Sequence, residues 1–425
     1  MGYLLLSFLA LAAYYLVSSI RAWHRLRHFK GPPLGSFSYL WMAYSAISGK
    51  AWKLHADNAE KYGSPFVRIG PNVLITDDAE MVRRMNAARS PYKRDTWYFA
   101  FRTNPYSHSS LSTIDDRLHN ELKTRTIPGY SGKDIPTIED DIAGQVEKFK
   151  RYIRGKYLST DKATKPIDFG AAVQYFTLDA ITKVGFGKEW GFLDADGDVG
   201  GFIRSVNELL PLVALCCDVP WIQTLLYNGF MLKLMGPKET DKKGMGKMMG
   251  CVFPVQSMRI VLSRQRRETD SLSTGLSPRW WQSGSSPTRR TILICWRVSY
   301  LTCPVTFIQS SDSHLVKWFE VRCLAYDCKQ LTTKLSRQGS FIRHGLSELQ
   351  CNLEVPNIVV AGSDTTAGVI RATMLYVMTT PHVYYRLQAE IDDAIEAGKI
   401  SSPIRQAEAR ELPYLQVSKS SSGLS

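Results

Sequence analysis

At 425 residues the chain can hold one large domain or two ordinary ones. Its 53 Lys and Arg against 39 Asp and Glu give a net charge of +14, which suits an anionic membrane surface or an acidic partner protein. No zinc-finger, homeodomain or RNA-recognition signature accompanies that charge, so nucleic acid is excluded as the partner, and the eight scattered cysteines show neither metal-ligand pairs nor a regular disulfide spacing. A reducing, cytosol-facing location fits that cysteine usage.

Gly2 to Ile20 carries no charge and is dominated by Leu4, Leu5, Leu6, Phe8, Leu9, Leu11, Leu16 and Val17, just long enough for a bilayer core. Arg21, Arg25, Arg27 and Lys30 follow at once, which keeps the body on the cytosolic side. A cleaved signal peptide would want a basic leader and a small-residue site after the apolar run, whereas Ala10-Leu11-Ala12 lies inside it. Gly31-Pro32-Pro33-Leu34-Gly35 then breaks any helix. Trp52 to Tyr62 reads as a helix stopped by Gly63. Phe66 to Ile69 and Asn72 to Thr76 read as a hairpin, and Asp77-Asp78-Ala79-Glu80 opens the next helix.

Asp116 to Lys123, with Arg125 beyond, forms a basic helical stretch in which His119 and Lys123 sit one turn apart, on one face. A solvated basic helix accounts for the same residues. Tyr175 to Phe186 reads as a helix, Phe202 to Leu210 as another stopped by Pro211, and Trp221 to Met235 as a largely apolar segment. From Cys251 to Gln338 the character changes: Lys and Arg outnumber Asp and Glu by more than two to one, five of the eight cysteines appear, and no periodicity is usable.

The chain is organised around Val355 to Pro381. Ile358, Val359, Val360, Val369, Ile370, Met374, Leu375 and Met378 recur at helical steps around Ala361-Gly362-Ser363-Asp364-Thr365-Thr366. A glycine costs ~1 kcal/mol in a helix interior, and a buried carboxylate costs more unless it is partnered. A wall that lets a ligand approach the backbone, with a proton donor beside it, explains both. Packing alone offers a second reading, a helix with a glycine kink and a solvated Asp-Thr pair. Val383 to Ala394 is an amphipathic helix after it.

The hexapeptide in its helix closely resembles the oxygen-binding helix of the cytochrome P-450 monooxygenases. Arg343-His344-Gly345-Leu346 and Leu412-Pro413-Tyr414-Leu415-Gln416 look most like fungal members near pisatin demethylase, whose relatives often oxidise secondary metabolites. The resemblance covers roughly residues 3 to 250 and 339 to 416. It implies a mainly α fold with small β-sheets, here truncated, preceded by one amino-terminal transmembrane helix. Residues 1–20 would be the anchor, 21–35 a basic, proline-rich hinge, 36–250 the amino-terminal part of the globular body, and 339–416 the oxygen helix with the helices after it. The interval 251–338 and the tail 417–425 stand outside the pattern. A retained intron or shifted frame accounts for both, Val298-Ser299 and Val417-Ser418 being writable by the bases of a common intron start.

The resemblance also implies a haem. Ala361 and Gly362 would leave room for dioxygen, Asp364 and Thr365 would deliver protons, and His119 with Lys123, aided by Arg125, would hold the propionates. Electrons would come from NADPH through the NADPH-cytochrome P-450 reductase docked on the basic face. The substrate would be an apolar small molecule, and the location the endoplasmic reticulum membrane, single-pass, with the body facing the cytosol. None of the eight cysteines has the family's Gly four residues and Phe seven residues before it, and Glu80 to Arg83 matches the family's Glu-x-x-Arg by spacing only. The expectation for the chain as written is therefore weak haem binding or none, with apolar faces left exposed. A non-catalytic, membrane-tethered remnant stands as the alternative to a monooxygenase.

Overall fold

In the computed structural model, residues 2–87, 90–104, 106–238, 241, 246 and 336–416 are described. Nearly all of the anomalous interval 251–338 and the whole tail 417–425 lie outside the described residues. The body is mainly helical, with one two-stranded antiparallel sheet among the described residues.

The apolar run forms α1 (Gly2–Leu26), which continues past Ile20 through Arg21 and Arg25. The proline stretch is not wholly non-helical. Pro33 begins a short helix, α2 (Pro33–Phe37), because a proline at the first helical position loses no hydrogen bond that the helix needs. After α3 (Leu40–Ile47) and α4 (Ala51–Tyr62), Gly63 closes the turn in the left-handed region at φ 54°, as its position predicts. The hairpin pairs β1 (Phe66–Gly70) with β2 (Val73–Thr76) in the register Phe66 to Thr76 and Val67 to Ile75, with an irregularity between Arg68 and Gly70.

Arg68 fastens this hairpin to the end of α1. Its side chain is fully buried and donates to the carbonyls of Gly70 (3.2 Å), Pro71 (2.8 Å) and Trp23 (3.5 Å). Its backbone amide donates to the Lys30 carbonyl at 2.9 Å. A Cβ on Gly31 would lie 1.9 Å from the Arg68 carbonyl oxygen, so only glycine lets the hinge lie flat against β1.

Helix α5 (Ala79–Met85) follows, capped by the Asp78 carboxylate as the acid-rich start predicts. A 3₁₀ turn at Thr96–Phe101 precedes α6 (Asp116–Tyr130) and α7 (Ile138–Tyr157). The central pair of the body is α8 (Phe169–Phe186) crossed by the long α14 defined below, with α7 on the outer side of α8. Helix α8 is apolar nearly all round because it is covered nearly all round: Val173 and Leu178 are fully buried, each contributing about 1.5–3 kcal/mol. Its one buried acid, Asp179, is satisfied by the backbone amides of Gly191, Phe192 and Leu193 at 2.8–3.1 Å, which locks α9 (Phe192–Ala195) in place.

Helix α10 (Phe202–Asp218) corrects a sequence expectation, since it runs straight through Pro211 instead of stopping there. A proline removes one intrahelical bond, but α10 packs on α3 and the 3₁₀ turn, and packing overrides the local preference. The apolar segment after it divides into α11 (Pro220–Leu226) and α12 (Gly229–Met235), broken where Asn228 caps the second helix. After α13 (Arg337–Arg343), Ser347 and Gln350 form a capping box that starts α14 (Glu348–Thr379), seven residues before the apolar pattern suggests. Pro381 then opens α15 (Pro381–Glu396), and α16 (Gln406–Arg410) is the last named helix.

Two helices among the described residues are long and apolar enough to cross a membrane, by length and composition: Leu5–Leu26 within α1, and Val199–Asp218 spanning α10. The latter packs on α3 and the 3₁₀ turn as part of the body.

Candidate active site

Helix α14 has two chemically distinct faces. Ile358, Val359 and Ala367 are buried, and Gly362 points at α8, where a Cβ would meet the Ile181 side chain at 2.9 Å. Close crossing of α8 and α14 is therefore what Gly362 permits. The opposite face carries Asn357, Val360, Ala361, Asp364 and Thr365, spaced at three and four residues, and these line a cavity of about 870 Å³. Of the residues predicted from sequence, Ala361, Asp364 and Thr365 share this wall, while Gly362 stands behind it.

The other walls are mainly apolar, among them Phe101 in the 3₁₀ turn, Tyr175 on α8, Phe202 and Val206 on α10, and Met231 on α12, with Arg102, Gln174 and Asn207 as polar members. A mainly apolar cavity with a few convergent polar groups is the usual form of a small-molecule site. The Thr365 hydroxyl donates to the Ala361 carbonyl at 2.7 Å, which leaves its oxygen free to accept. Arg371, another lining residue, is committed to the fold: it donates to the Gly170 carbonyl (3.0 and 2.7 Å) and to Gln174 Oε1 (2.7 Å), tying α14 to the start of α8.

Beside the cavity lies a cationic group. His119 on α6 is half-buried, and its pKa is held below the ordinary value first by burial, then by the positive charge of Arg94 and also by that of Lys123. Arg94 donates to the carbonyls of Ser110 (3.0 Å) and Leu111 (2.8 Å) and lies over the Tyr98 ring at 3.9 Å; Leu111 itself lines the cavity. Arg125 does not join this group. Its guanidinium donates to the Gly345 carbonyl at 3.0 Å and pairs with Glu121 at 2.8 Å. Arg94 thus stands where the sequence reading put Arg125, and the only sequence signal for it is the basic pair Lys93-Arg94 ahead of the aromatic run Trp97-Tyr98-Phe99.

The second residue that sequence reasoning missed is Glu354. It is buried on α14 and accepts from the Ser110 amide (2.6 Å), the Ser110 hydroxyl (2.9 Å) and the Tyr130 phenol (3.1 Å). Burial first, and then the neighbouring Glu354 charge, push the Tyr130 phenol well above its usual range, so it stays a donor. Arg94 and Glu354 therefore hold the loop around Ser110 from opposite sides. An acid at the edge of an apolar stretch, Leu353-Glu354-Val355, was the available signal.

The residues present meet part of what a haem needs. Arg94 and Lys123 place positive charge near His119, as two porphyrin carboxylates require, with the Arg94 guanidinium also donating to the Ser110 and Leu111 carbonyls. On the face of α14 that carries Ala361, a Cβ on Gly368 would meet nothing within 4 Å, while Leu375 and Met378 further along the helix are exposed. Among the described residues no three His, Cys, Asp or Glu side chains come together as metal ligands. Cys216, Cys217 and Cys351 are buried in packing positions.

A helical body that crosses one long helix over a mainly apolar cavity defines a small-molecule site. Comparison with known proteins supplies the family. The family model for cytochrome P450 matches residues 328–418. The cytochrome P450 monooxygenase ABA1 of Pyricularia oryzae is 36% identical over 416 residues, which are 96% of this chain and 68% of that protein. The corresponding aba1 protein of Botryotinia fuckeliana is 35% identical over 394 residues, 92% of this chain and 64% of its own length. The inactive cytochrome P450 monooxygenase lolP2 of Epichloe uncinata is 42% identical over 142 residues, 33% of this chain and 76% of its own length. The chain belongs to the cytochrome P450 family, and that family implies haem as the cofactor.

Proposed function

We propose that the protein is a membrane-anchored monooxygenase that inserts one oxygen atom from O2 into an apolar small molecule of fungal secondary metabolism. The observation that carries this reading is the joint placement of Ala361, Asp364 and Thr365 on one wall of the 870 Å³ apolar cavity. One atom of dioxygen enters the substrate and the other leaves as water. That balance needs two electrons, supplied from NADPH through the NADPH-cytochrome P450 reductase on the basic surface, and two protons. When bound, haem supplies the oxygen-activating chemistry.

In this scheme the chain's own groups have separate tasks. Asp364, exposed at the cavity wall, takes protons from solvent, and the Thr365 hydroxyl, already hydrogen-bonded to Ala361, passes them inward. His119, Lys123 and Arg94 hold the cofactor's carboxylates. The apolar walls bind the substrate and exclude water. Helix α1, with Arg21 and Arg25 near its carboxyl end, anchors the body to the endoplasmic reticulum membrane on the cytosolic side. A carbon-monoxide difference spectrum of the reduced membrane fraction tests this: a band at the thiolate-haem position supports catalysis, and its absence supports the non-catalytic reading below. Thr365→Ala should then uncouple oxygen consumption from product formation; unchanged coupling would remove Thr365 from the proton path.

The second reading, a non-catalytic member that binds apolar molecules only, is favoured by the similarity to the inactive lolP2 protein. It predicts no thiolate-haem band in the same spectrum.

A further inference from the structure

Lys93-Arg94-Asp95-Thr96-Trp97 is the one place in the sequence where two adjacent cations are followed, one residue on, by a hydroxyl and then by an apolar side chain. The other basic pair with a hydroxyl two positions on, Arg266-Arg267-Glu268-Thr269, is followed by an acid. Kinases that act on basic segments read charge at this spacing with acidic pockets of their own. A plain turn threonine fits the same letters, but the surroundings of Thr96 favour a recognition segment.

Residues 92–95 lie in neither helix nor strand, and Lys93, Asp95 and Thr96 are exposed. The Thr96 hydroxyl donates to the adjacent Asp95 carboxylate at 3.3 Å, so modifying it breaks no bond to a remote element. Asp95 is extended, at φ −89° and ψ 169°, and the side chains of Arg94 and Thr96 therefore leave the chain on the same side. Arg94 is committed only to neutral acceptors, the Ser110 and Leu111 carbonyls, and to the face of Tyr98. A guanidinium prefers a charged acceptor to a neutral one.

We propose that Thr96 is a phosphorylation site, and that phosphate there draws Arg94 from the Ser110 and Leu111 carbonyls and so loosens one wall of the cavity. The phosphoryl donor is MgATP held by a kinase. The bond from the γ-phosphorus to the oxygen that bridges to ADP breaks, a bond from that phosphorus to Thr96 Oγ1 forms, the hydroxyl proton passes to the kinase's base, and ADP leaves. The new group carries a charge of about −1.5 to −2 at pH 7 and offers acceptor oxygens that match the guanidinium fork. Glu354 still accepts from Ser110, so the loop loses one of its two holds, and Leu111 is the lining residue it releases. The same step lessens the positive charge beside His119. In the cell this needs the cytosolic placement proposed above, where MgATP and kinases are found; its test does not.

The full chain in lipid nanodiscs is incubated with the catalytic subunit of cyclic-AMP-dependent protein kinase and magnesium ATP labelled at the γ-phosphorus, and the labelled residue is mapped by peptide mass. Phosphate should enter at Thr96, Thr96→Ser should keep it, Thr96→Val should lose it, and Lys93→Gln should slow it roughly tenfold. The modified chain should exchange the amides of residues 109–112 faster than the unmodified one, with α7 unchanged. Arg94→Gln should show that faster exchange before any modification.

Absence of label at Thr96 in the folded chain overturns the site, and label in a synthetic peptide of residues 90–100 alone would show that the fold hides it. Label at Thr96 that leaves exchange at residues 109–112 unmoved overturns the competition for Arg94, and the loosened wall with it. Neither outcome depends on haem or on the monooxygenase reading.

Discussion

The two halves of α14 are alike in sequence and unlike in surroundings. From Glu348 to Ser363 the helix is clasped by α8 and α13 and tethered by Ser110 and Tyr130, so that Cys351, Leu353, Glu354, Ile358, Val359 and Ser363 are buried. From Asp364 to Thr379 the apolar residues keep the same helical spacing, yet Leu375 is 61% exposed and Met378 67%. Ala367 and the Arg371 strap are what hold this half to α8. Periodicity therefore marks which residues can be buried; a partner decides which of them are.

The largest effect should come from making one change in both halves. Leu353→Ala empties a core position that is 2% exposed and should lose about 2–5 kcal/mol. Leu375→Ala makes the identical chemical change at a bare position and should stay within about 0.5 kcal/mol. Chemical denaturation followed by tryptophan fluorescence measures both. Equal losses would mean that Leu375 is covered in solution, and the contrast between the halves would disappear.

Glu354→Gln comes next. The amide oxygen can replace only part of what the carboxylate accepts from Ser110 and Tyr130, and the new NH2 faces donors. A loss of about 2–3 kcal/mol is expected. Hydrogen exchange should rise first in the loop around Ser110, while α7 keeps its protection.

The glycines of the two faces should respond with opposite signs. Gly362→Leu drives a side chain into Ile181 and should destabilise by about 1–3 kcal/mol. Gly368→Ala enters open space and should stabilise the helix by about 0.5–1 kcal/mol. Thermal unfolding of the two variants checks the sign. A neutral Gly362→Leu would mean that α8 and α14 do not cross as closely as Gly362 allows.

How much of this was legible follows from how far apart the partners are. The hairpin, the Asp78 cap and the body of α14 were readable because period and punctuation lie within one short window. The start of α14 was missed because its first turn is polar and declares itself through the Ser347–Gln350 capping box, not through apolar spacing. Helix α10 was cut short because Pro211 is a local signal and the helices that override it are not. Glu354 stands out only as an acid at the edge of an apolar stretch, and its partners were not legible: Ser110 and Tyr130 lie 244 and 224 residues away. Gly362 shows the same limit in another form. The hexapeptide assigns it to the oxygen side, and only the presence of Ile181 on α8 reveals which face it occupies.

The smallest effect belongs to a second carboxylate tether, which differs from Glu354 in being open to water. Asp134 accepts from Ser340 at 2.9 Å, contacts His344 Nε2 at 2.8 Å and lies near Arg343, holding the turn after α6 to α13. Those contacts, that with His344 foremost, hold its carboxyl below the ordinary value of 3.8. A carboxylate lowered in the folded state adds stability that is fully present above its unfolded value and is lost as pH falls through the lowered one. Amides of Ile342 to Gly345 should therefore lose exchange protection as the solution is taken below pH 3.8, ahead of those in α8. Asp134→Asn should remove that pH dependence and leave α13 equally loose at neutral pH. Because water screens this tether and not Glu354, the asparagine variant should shift the global unfolding midpoint less than Glu354→Gln does. A larger shift from Asp134 would reverse the ranking of the two tethers.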